Sequence, residues 1–190
     1  MFQTQLYEGA LVRFAAFDPD KDAAIESRWT HDAEYAHGLG AHVVAPLSPF
    51  HVRKQHADAV KEHEHHQLFE FMIHAQADDR LIGTAKFSWI QWNVAQGHFN
   101  LAIGDAADRG AGFGTDALKL IQQFAFDELN LFRLVGLVDG ANDRAVKWLQ
   151  RVGFTIEVRR RKAVLRNGRR YDALKLAQNR EDYHAKQQIA

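Results

Sequence analysis

In the first half of the chain, hydrophobic and polar residues alternate in short runs, a pattern that predicts β-strands. Turn-forming residues bound each run. The predicted strands cover 11–17, 68–74, 81–92 and 98–103. Short turns at 77–80 and 95–97 join the last three, and connections of this length predict an antiparallel meander.

Two helices are predicted between the first strand and the second. Asp18 followed by Pro19 is typical of an N-cap with proline at the first helical position, so we expect a helix as far as Trp29. The polar stretch 48–65 predicts a second helix. The segment 37–49 between them contains glycine, histidine and proline and is predicted to be a loop.

In the second half, helical periodicity alternates with strand-like runs. Apolar residues at helical spacing predict helices over 113–129 and 142–152, and Gly153 is expected to end the second one. Asn167-Gly168 is a strong hairpin signal between the last two strands. The strands predicted in this half cover 131–138, 154–165 and 170–176. The order of elements predicts an α/β protein with a mixed sheet.

Length and composition favour one ordinary globular domain over residues 1–190. Hydrophobic residues make up 46% and charged residues 25% of the chain, which argues against disorder. The absence of cysteine excludes disulfides, thiolate metal sites and a cysteine nucleophile, and it agrees with a reducing compartment. No apolar run approaches the roughly 20 residues of a membrane span, and the start of the chain lacks the features of a signal peptide. We therefore expect a soluble, cytoplasmic domain.

Charge is balanced overall but is distributed unevenly. The formal net charge is zero, yet residues 1–132 have a net charge of −8 and residues 133–170 a net charge of +8. This basic excess predicts either a patch for phosphates or an acidic partner, or a charged edge strand that is protected from mispairing. Its hairpin cations are Arg159, Arg160, Arg161, Lys162, Arg166, Arg169 and Arg170.

A glycine-rich loop joins a predicted strand to a predicted helix, with Gly110, Gly112 and Gly114 at alternate positions. The backbone N–H groups of such a loop, together with the N-terminus of the helix, favour phosphate. Thr115 follows directly, without the lysine that a P-loop requires. A dinucleotide fingerprint would need glycine or alanine at position 115 and a carboxylate about 20 residues later, and no suitable carboxylate occurs before Asp139.

These motifs resemble those of the GNAT superfamily of acetyl-CoA-dependent N-acetyltransferases. Arg109-Gly110-Ala111-Gly112-Phe113-Gly114 is similar to its R/Q-x-x-G-x-G/A pyrophosphate loop. Its second cofactor motif resembles Asn142-Asp143-Arg144-Ala145 followed by Arg151-Val152-Gly153-Phe154. Segments 124–133 and 166–172, with Leu81-Ile82-Gly83-Thr84, resemble the RimJ/RimL-like branch, the ribosomal-protein N-terminal acetyltransferases. The resemblance covers about residues 10–183 and implies a single-domain fold whose mixed, mostly antiparallel sheet is splayed between two strands and flanked by helices.

The resemblance also implies where acetyl-CoA binds. The cofactor is expected where strand 98–103 separates from strand 131–138. Backbone groups of Leu101, Ala102 and Ile103 would pair with its pantetheine arm, and the Leu101 N–H would polarise the thioester carbonyl. Its phosphates are expected at the glycine loop. The residues implied for that end are Arg109, Gly110, Ala111, Gly112, Phe113, Gly114, Thr115, Asn142 and Arg144.

The implied reaction is direct attack of a neutral amine on the thioester, which requires no enzyme nucleophile. His98, whose ordinary pKa lies near 6.5, is the candidate for the base that deprotonates the amine; the alternative is a solvent-facing histidine at a strand end. Many family members have a tyrosine as general acid at the position of Leu149, seven residues after Asn142. Leucine cannot donate a proton, but a thiol pKa near 8.5 makes thiolate a tolerable leaving group.

Two further sets of side chains have weaker functional signals. One comprises aromatic residues from segments that border the acceptor pocket in the family, although core packing explains each of them equally well. These are Trp29, Tyr35, Trp89, Trp92 and Tyr171. The other set, His63, His65 and His66, resembles a metal cluster, but its acidic neighbours favour a solvated polar face, and no metal site is expected.

The sequence therefore predicts a transferase of the acyltransferase class that moves the acetyl group of acetyl-CoA to a primary amine, on a protein N-terminus or on a small molecule. One alternative is an acyl-CoA-binding module without turnover, as Leu149 suggests. Another is an RNA or ribosome contact through the hairpin 159–170, although nucleic acid is not the expected partner. No membrane partner is expected, and a homodimer through the C-terminal strands stays open.

Overall fold

The computed structural model describes residues 6–40, 44–64 and 67–187, without the side chains of 61–64. Strands and helices within this part are labelled in chain order. The strands are β1 (Val12–Ala15), β2 (Phe69–Ala75), β3 (Leu81–Gln91), β4 (Gln96–Ile103), β5 (Arg133–Asp139), β6 (Thr155–Arg166) and β7 (Arg169–Asn179). The helices are α1 (Asp22–Trp29), α2 (Ala33–Gly38), α3 (Pro49–Glu64), α4 (Phe113–Gln123), α5 (Asp143–Val152) and α6 (Arg180–Gln187). None of them has the length and hydrophobicity needed to cross a membrane.

The strands form one sheet in the order β1-β2-β3-β4-β5-β7-β6. All neighbouring pairs are antiparallel except β4 and β5, which are parallel because α4 forms the crossover between them. Their pairing stops where Phe99 lies opposite Gly136. Beyond that point β4 continues along β3 and β5 continues along β7, so a wedge-shaped gap opens between them. This confirms the predicted mixed, mostly antiparallel sheet splayed between two strands.

Helices cover both faces of the sheet around this gap. The apolar stripe of α4, which includes the fully buried Ala117 and Ile121, packs into a core with side chains such as Phe87 of β3. Burial of such side chains is worth about 1.5–3 kcal/mol each. A second cluster on the other face includes Trp29, Tyr35 and Ala102, so α1 and α2 pack across the end of β4. The cores therefore hold β4 from both sides and leave its edge toward β5 open.

The predicted elements are present with shifts at their ends, and three predictions need correction. The first helix begins at Asp22 rather than Pro19, because Asp18 accepts hydrogen bonds from the N–H groups of Asp20 and Lys21 in a preceding turn. Part of the predicted loop 37–49 belongs to α2, which was too short to detect by periodicity; residues 41–43 lie outside the described residues. The predicted helix 113–129 ends as an α-helix at Gln123 and continues as a π-helical turn.

Candidate active site

The β4 wall of the gap is lined by backbone groups whose direction can be assigned. The Gly104 N–H donates to the Ile82 carbonyl of β3 over 2.8 Å. Backbone groups alternate sides along an antiparallel strand, so those of Ala102 also point to β3, whereas those of Leu101 and Ile103 point into the gap. This direction agrees with the predicted role of Leu101, whereas for Ile103 it leaves only the N–H group, because the Ile103 carbonyl accepts a hydrogen bond from Arg109 over 3.0 Å. The prediction for Ala102 is wrong, because its backbone belongs to the β3–β4 ladder.

The β5 wall of the gap is also lined by backbone groups whose direction can be assigned. The Gly140 N–H donates to the Asp172 carbonyl of β7 over 2.8 Å, and by the same alternation the backbone groups of Leu137 point into the gap. At the closed end of the gap, Gly136 leaves room for the ring of Phe99, which would lie 3.1 Å from a Cβ atom at residue 136. Leu101 and Leu137 therefore direct backbone groups into the gap from two facing strands, with no partner among the described residues, an arrangement that suits a ligand with amide groups of its own.

Leu149 lies directly beneath the closed end of the gap. Its side chain is buried, and its Cδ1 atom lies 3.4 Å from the position that a Cβ of residue 136 would take. Helix α5 thus holds Leu149 at the closed end of the gap. Many members of the family that the chain resembles have a tyrosine at this position. A hydrocarbon side chain there excludes water but supplies no proton.

The glycine loop follows β4 and lies at the open end of the gap, next to the N-terminus of α4. Gly110 and Gly112 have φ values of +90° and +96°, a left-handed conformation that side chains rarely adopt. Gly112 is the N-cap of α4, and the N–H groups of Phe113 and Gly114 have no acceptor among the described residues. The Arg144 guanidinium lies 3.2 Å from the position of a Cβ at residue 110. Unpaired N–H groups and a cation therefore meet at the predicted phosphate site.

Thr115 and Asn142 connect this loop to α5. The Trp148 indole N–H donates to the Thr115 hydroxyl over 3.0 Å, which ties α5 to the first turn of α4. Asn142 is the N-cap of α5, since its Oδ1 accepts the Ala145 N–H over 3.0 Å. Its side-chain NH₂ has no partner among the described residues and stays free to donate to a ligand.

Arg109 does not lie at the mouth of the glycine loop as predicted. Its guanidinium donates to the carbonyls of Ile103 and Gly104 over 3.0 and 2.6 Å, and to the carboxylates of Asp32 and Glu34 over 2.7 and 2.9 Å. Only 10% of the side chain is exposed. Burial opposes the effect, but the hydrogen bond from Arg109 lowers the pKa of Asp32. Arg109 therefore clamps the N-terminus of α2 to the end of β4, because two carboxylates from a distant segment occupy its donors.

Replacing Arg109 by glutamine is expected to lower the free energy of unfolding by about 1–3 kcal/mol, because two carboxylates and two carbonyls lose a charged partner. Urea unfolding of the wild type, Arg109→Gln, Asp32→Asn and the double variant would measure this coupling. Affinity for the phosphates of a bound cofactor should change by less than tenfold. A large loss of cofactor affinity with unchanged stability would restore the phosphate-binding role to Arg109.

His98 lies at the closed end of the gap, on the sheet face opposite Leu149. It pairs with Val135 and is stacked against Trp89, with ring centroids 6.1 Å apart. Burial, and then the positive charge of Lys175, lower the pKa of His98 below its ordinary value. The imidazole is therefore neutral at neutral pH and can accept a proton.

The five aromatic candidates fall into two groups. Trp29 and Tyr35 are buried in the core beneath α1 and α2, which corrects their prediction as pocket residues. Trp89, in contrast, is 78% exposed beside His98 and has a left-handed φ of +54° within an irregular part of β3. Trp92 is half-exposed at the end of the same hairpin, and Tyr171 is half-buried on β7.

Sequence reasoning missed a buried charge network that joins α3 to α1 and to strands β2 and β3. His56 bonds through Nε2 to Glu26 over 2.8 Å and through Nδ1 to Glu70 over 3.2 Å, and Lys86 pairs with Glu70 over 2.5 Å. Although burial opposes both shifts, these contacts raise the pKa of His56 to about 9 and lower that of Glu70 to about 2. The sequence does contain a signal for this network: Val52 and His56 are four residues apart and occupy the inward positions of an otherwise polar helix.

This network predicts a stability maximum in mildly acidic solution. His56 stabilises the fold fully below its unfolded pKa near 6.5 and loses the contribution as pH rises through about 9; Glu70 contributes above pH 4.5 and loses it toward pH 2. From pH 6 to 9 the His56 contribution, about 3 kcal/mol at most, should decline. Urea unfolding at several pH values would measure it, with His56→Gln expected to flatten the slope and the exposed His51→Gln to preserve it. An unchanged slope in His56→Gln would refute this assignment.

Carboxylates on β7 and β5 partly neutralise the basic hairpin. Arg159 pairs with Asp172 over 3.1 Å, and Arg166 with Asp139 over 2.8 Å. Because β6 is the last strand of the sheet, the predicted charged edge strand is confirmed as an edge. A role in binding RNA stays a prediction.

The predicted absence of a metal site concerns three histidines of which little is described. His65 and His66 lie outside the described residues, and the side chain of His63 is not described. Elsewhere in the described part of the chain, no group of three His, Cys, Asp or Glu side chains is arranged to hold a metal ion.

Comparison with known proteins identifies related sequences. The family described as "Acetyltransferase (GNAT) domain" matches residues 12–155. A probable N-acetyltransferase of Bacillus subtilis strain 168, YjcK, is 34% identical over 116 residues, which are 61% of this chain and 64% of that protein. Spermidine N(1)-acetyltransferase of Escherichia coli K12 is 25% identical over 126 residues, 62% of this chain and 67% of that protein. The chain thus spans less than two thirds of the Bacillus relative and about two thirds of the Escherichia one.

Solved structures share the fold along most of the chain. The crystal structure of a probable acetyltransferase superimposes with a TM-score of 0.78 at 20% identity and covers 95% of this chain and 98% of its own. Vibrio cholerae spermidine N-acetyltransferase, solved in complex with CoA and spermine, superimposes with a TM-score of 0.77 at 18% identity, covering 91% and 98%. At this level of identity the likeness concerns the fold alone.

Proposed function

The chain belongs to the GNAT acetyltransferase family, whose cofactor is acetyl-CoA, and from this premise we propose that it transfers the acetyl group to a primary amine. The observation that carries the proposal is the gap between β4 and β5, into which Leu101 and Leu137 direct backbone groups that have no partner in the described part of the chain, with the glycine loop at its open end. Relatives named for spermidine favour a small-molecule amine. The resemblance to the RimJ/RimL-like branch favours a protein N-terminus instead.

The residues present fit this cofactor at both of its ends. Leu101 and Leu137 would bind the amide groups of pantetheine from opposite walls, as neighbouring strands bind each other. N–H groups of Phe113 and Gly114, with the Arg144 guanidinium, would bind the phosphates. When bound, acetyl-CoA supplies an acetyl group activated as a thioester.

The groups around the closed end of the gap suggest a division of roles. The Leu101 N–H, directed into the gap, would stabilise negative charge that develops on the carbonyl oxygen. His98, neutral because its pKa is lowered, would take the proton from the ammonium of the acceptor, directly or through a water molecule. Leu149 would keep water away from the thioester, and the CoA thiolate would leave without an enzyme acid.

Saturating acetyl-CoA is expected to raise the melting temperature by about 5–10 °C. A ligand at 100 times its Kd adds about 2.7 kcal/mol, and a protein of this size gains roughly 2–4 °C per kcal/mol. NAD and ATP are the controls, because the loop lacks the features of their binding motifs. CoA release with a panel of amines then separates an enzyme from a binding module. The absence of any shift with acetyl-CoA would contradict the proposed function.

A further inference from the structure

A lysine shares the sheet face of His98. His98 pairs with Val135 of β5, and Leu137, two residues later, pairs with Lys175 of β7. Since alternate residues of a strand share a face and paired residues point the same way, His98, Leu137 and Lys175 lie on one surface, here called the His98 face. Relative to His98, Lys175 lies toward the open end of the gap, on the same face as the proposed base.

Lys175 has no counter-charge among the described residues. It is half-buried between its pairing neighbours Leu137 and Val158, and it forms no ion pair with any carboxylate in the described part of the chain. Its charge is close enough to act on His98, as the lowered pKa of that histidine indicates. A half-buried ammonium without a partner costs free energy that a bound anion would recover.

The nearby carboxylates are already neutralised. Asp139 pairs with Arg166 over 2.8 Å, and Glu157 pairs with Arg133. The buried Glu70 is held between His56 and Lys86. The uncompensated charge beside His98 is therefore positive, which repels a polycationic amine and attracts an amine that carries an anionic group.

We propose that Lys175 binds an anionic group of the acceptor, so that the acceptor is a primary amine bearing a carboxylate or a phosphate rather than a polyamine. This inference rests on the proposed acetyl transfer. In that reaction the amine nitrogen bonds to the acetyl carbon as the carbon–sulfur bond breaks. The acceptor ammonium would lose two protons in all: His98 takes one and passes it to solvent, and the second, lost from the nitrogen as the amide forms, reaches the CoA sulfur through solvent. The anionic group stays unchanged.

The register also limits the length of the acceptor. Lys175 lies two strands away from β4, about 10 Å between the strand axes, and two residues further along β5. The lysine side chain spans part of this distance. The amine and the anionic group should therefore be separated by several bonds, and a short acceptor such as glycine should react poorly.

The test compares matched pairs of amines that differ only in the anionic group. CoA release would be followed with glycine, β-alanine, 4-aminobutyrate and 6-aminohexanoate against methylamine, ethylamine, propylamine and pentylamine. Phosphoethanolamine distinguishes phosphate from carboxylate recognition, and spermidine is the polycationic comparison. Each amine is assayed with the wild type, Lys175→Gln, Lys175→Arg and, as a matched lysine loss on the exposed side of α4, Lys119→Gln.

We expect the best anionic amine to have a KM about 10- to 100-fold lower than its uncharged partner, the range for a charged hydrogen bond. Lys175→Gln should abolish this difference with little change in kcat, Lys175→Arg should restore much of it, and Lys119→Gln should preserve it. Turnover that favours spermidine or ignores the anionic group, or a difference that survives in Lys175→Gln, overturns the inference while the proposed function stands. No CoA release with any amine overturns both.

Discussion

Replacing His98 by alanine is expected to lower kcat about 100- to 1000-fold at pH 7.5, because the acceptor ammonium loses the only imidazole at the closed end of the gap in the described residues. The KM for acetyl-CoA should stay within about threefold, since the predicted cofactor contacts come from backbone groups and from the glycine loop. Steady-state CoA release with a reactive amine measures both parameters.

The pH profile adds a second readout for His98. Its pKa is lowered by burial and by Lys175, so the wild-type kcat should rise from the acid side along a limb whose midpoint lies below pH 6.5. This acidic limb should disappear in His98→Ala. His74→Ala, on the distant strand β2, serves as the matched control and should keep both the rate and the limb. An His98→Ala enzyme with wild-type kcat and an unchanged acidic limb would assign the base to another group.

Replacing Gly112 by valine is expected to weaken acetyl-CoA binding at least 100-fold. Its φ of +96° is strained for any side chain, most of all a β-branched one, and a Cβ there would lie 3.1 Å from Leu11. To relieve the strain the loop must turn, and the N–H groups at the start of α4 would then no longer point at the phosphates. Isothermal titration calorimetry with acetyl-CoA measures the loss.

The matched control for this variant is Gly168→Val. Gly168 has a comparable φ of +74° in the β6–β7 turn, where a Cβ would meet no atom within 4 Å. Both variants should lose about 1–3 kcal/mol of stability through backbone strain, but only Gly112→Val should lose cofactor affinity. Equal and small losses of affinity in the two variants would show that the loop does not hold the phosphates.

Local interactions explain why much of the fold could be predicted. The α5 helix runs from its N-cap Asn142 to Gly153, which has the expected left-handed φ of +118°, because both ends depend on residues within one turn. The Asn167-Gly168 hairpin depends on its own turn in the same way. The six-residue α2 was missed because it is too short for periodicity to register and is stabilised by the side chain of Asp32 and the burial of Tyr35.

Periodicity could not predict which side chains from distant segments of the chain would contact each other. Arg109 was expected at phosphates because the resemblance makes it the first residue of the family's pyrophosphate loop, but its partners Asp32 and Glu34 lie 77 and 75 residues earlier. For Trp29 and Tyr35 the sequence left a pocket role and core packing open, and they are core residues, since packing of α1 and α2 against β4 buries them. Aromatic residue type alone does not distinguish these outcomes.

Period, capping and turn chemistry determined most of the elements and the glycine loop, because they act over a few neighbouring residues, and the resemblance to the family supplied the place of the gap. Only the tertiary structure decided how the site is charged: Arg109 is occupied by α2, Glu70 is neutralised by His56 and Lys86, and Lys175, on the face of His98, has no carboxylate partner in the described part of the chain. The reason is physical. Electrostatic interactions act through space, and the register of the strands, which no local pattern contains, sets which charges meet.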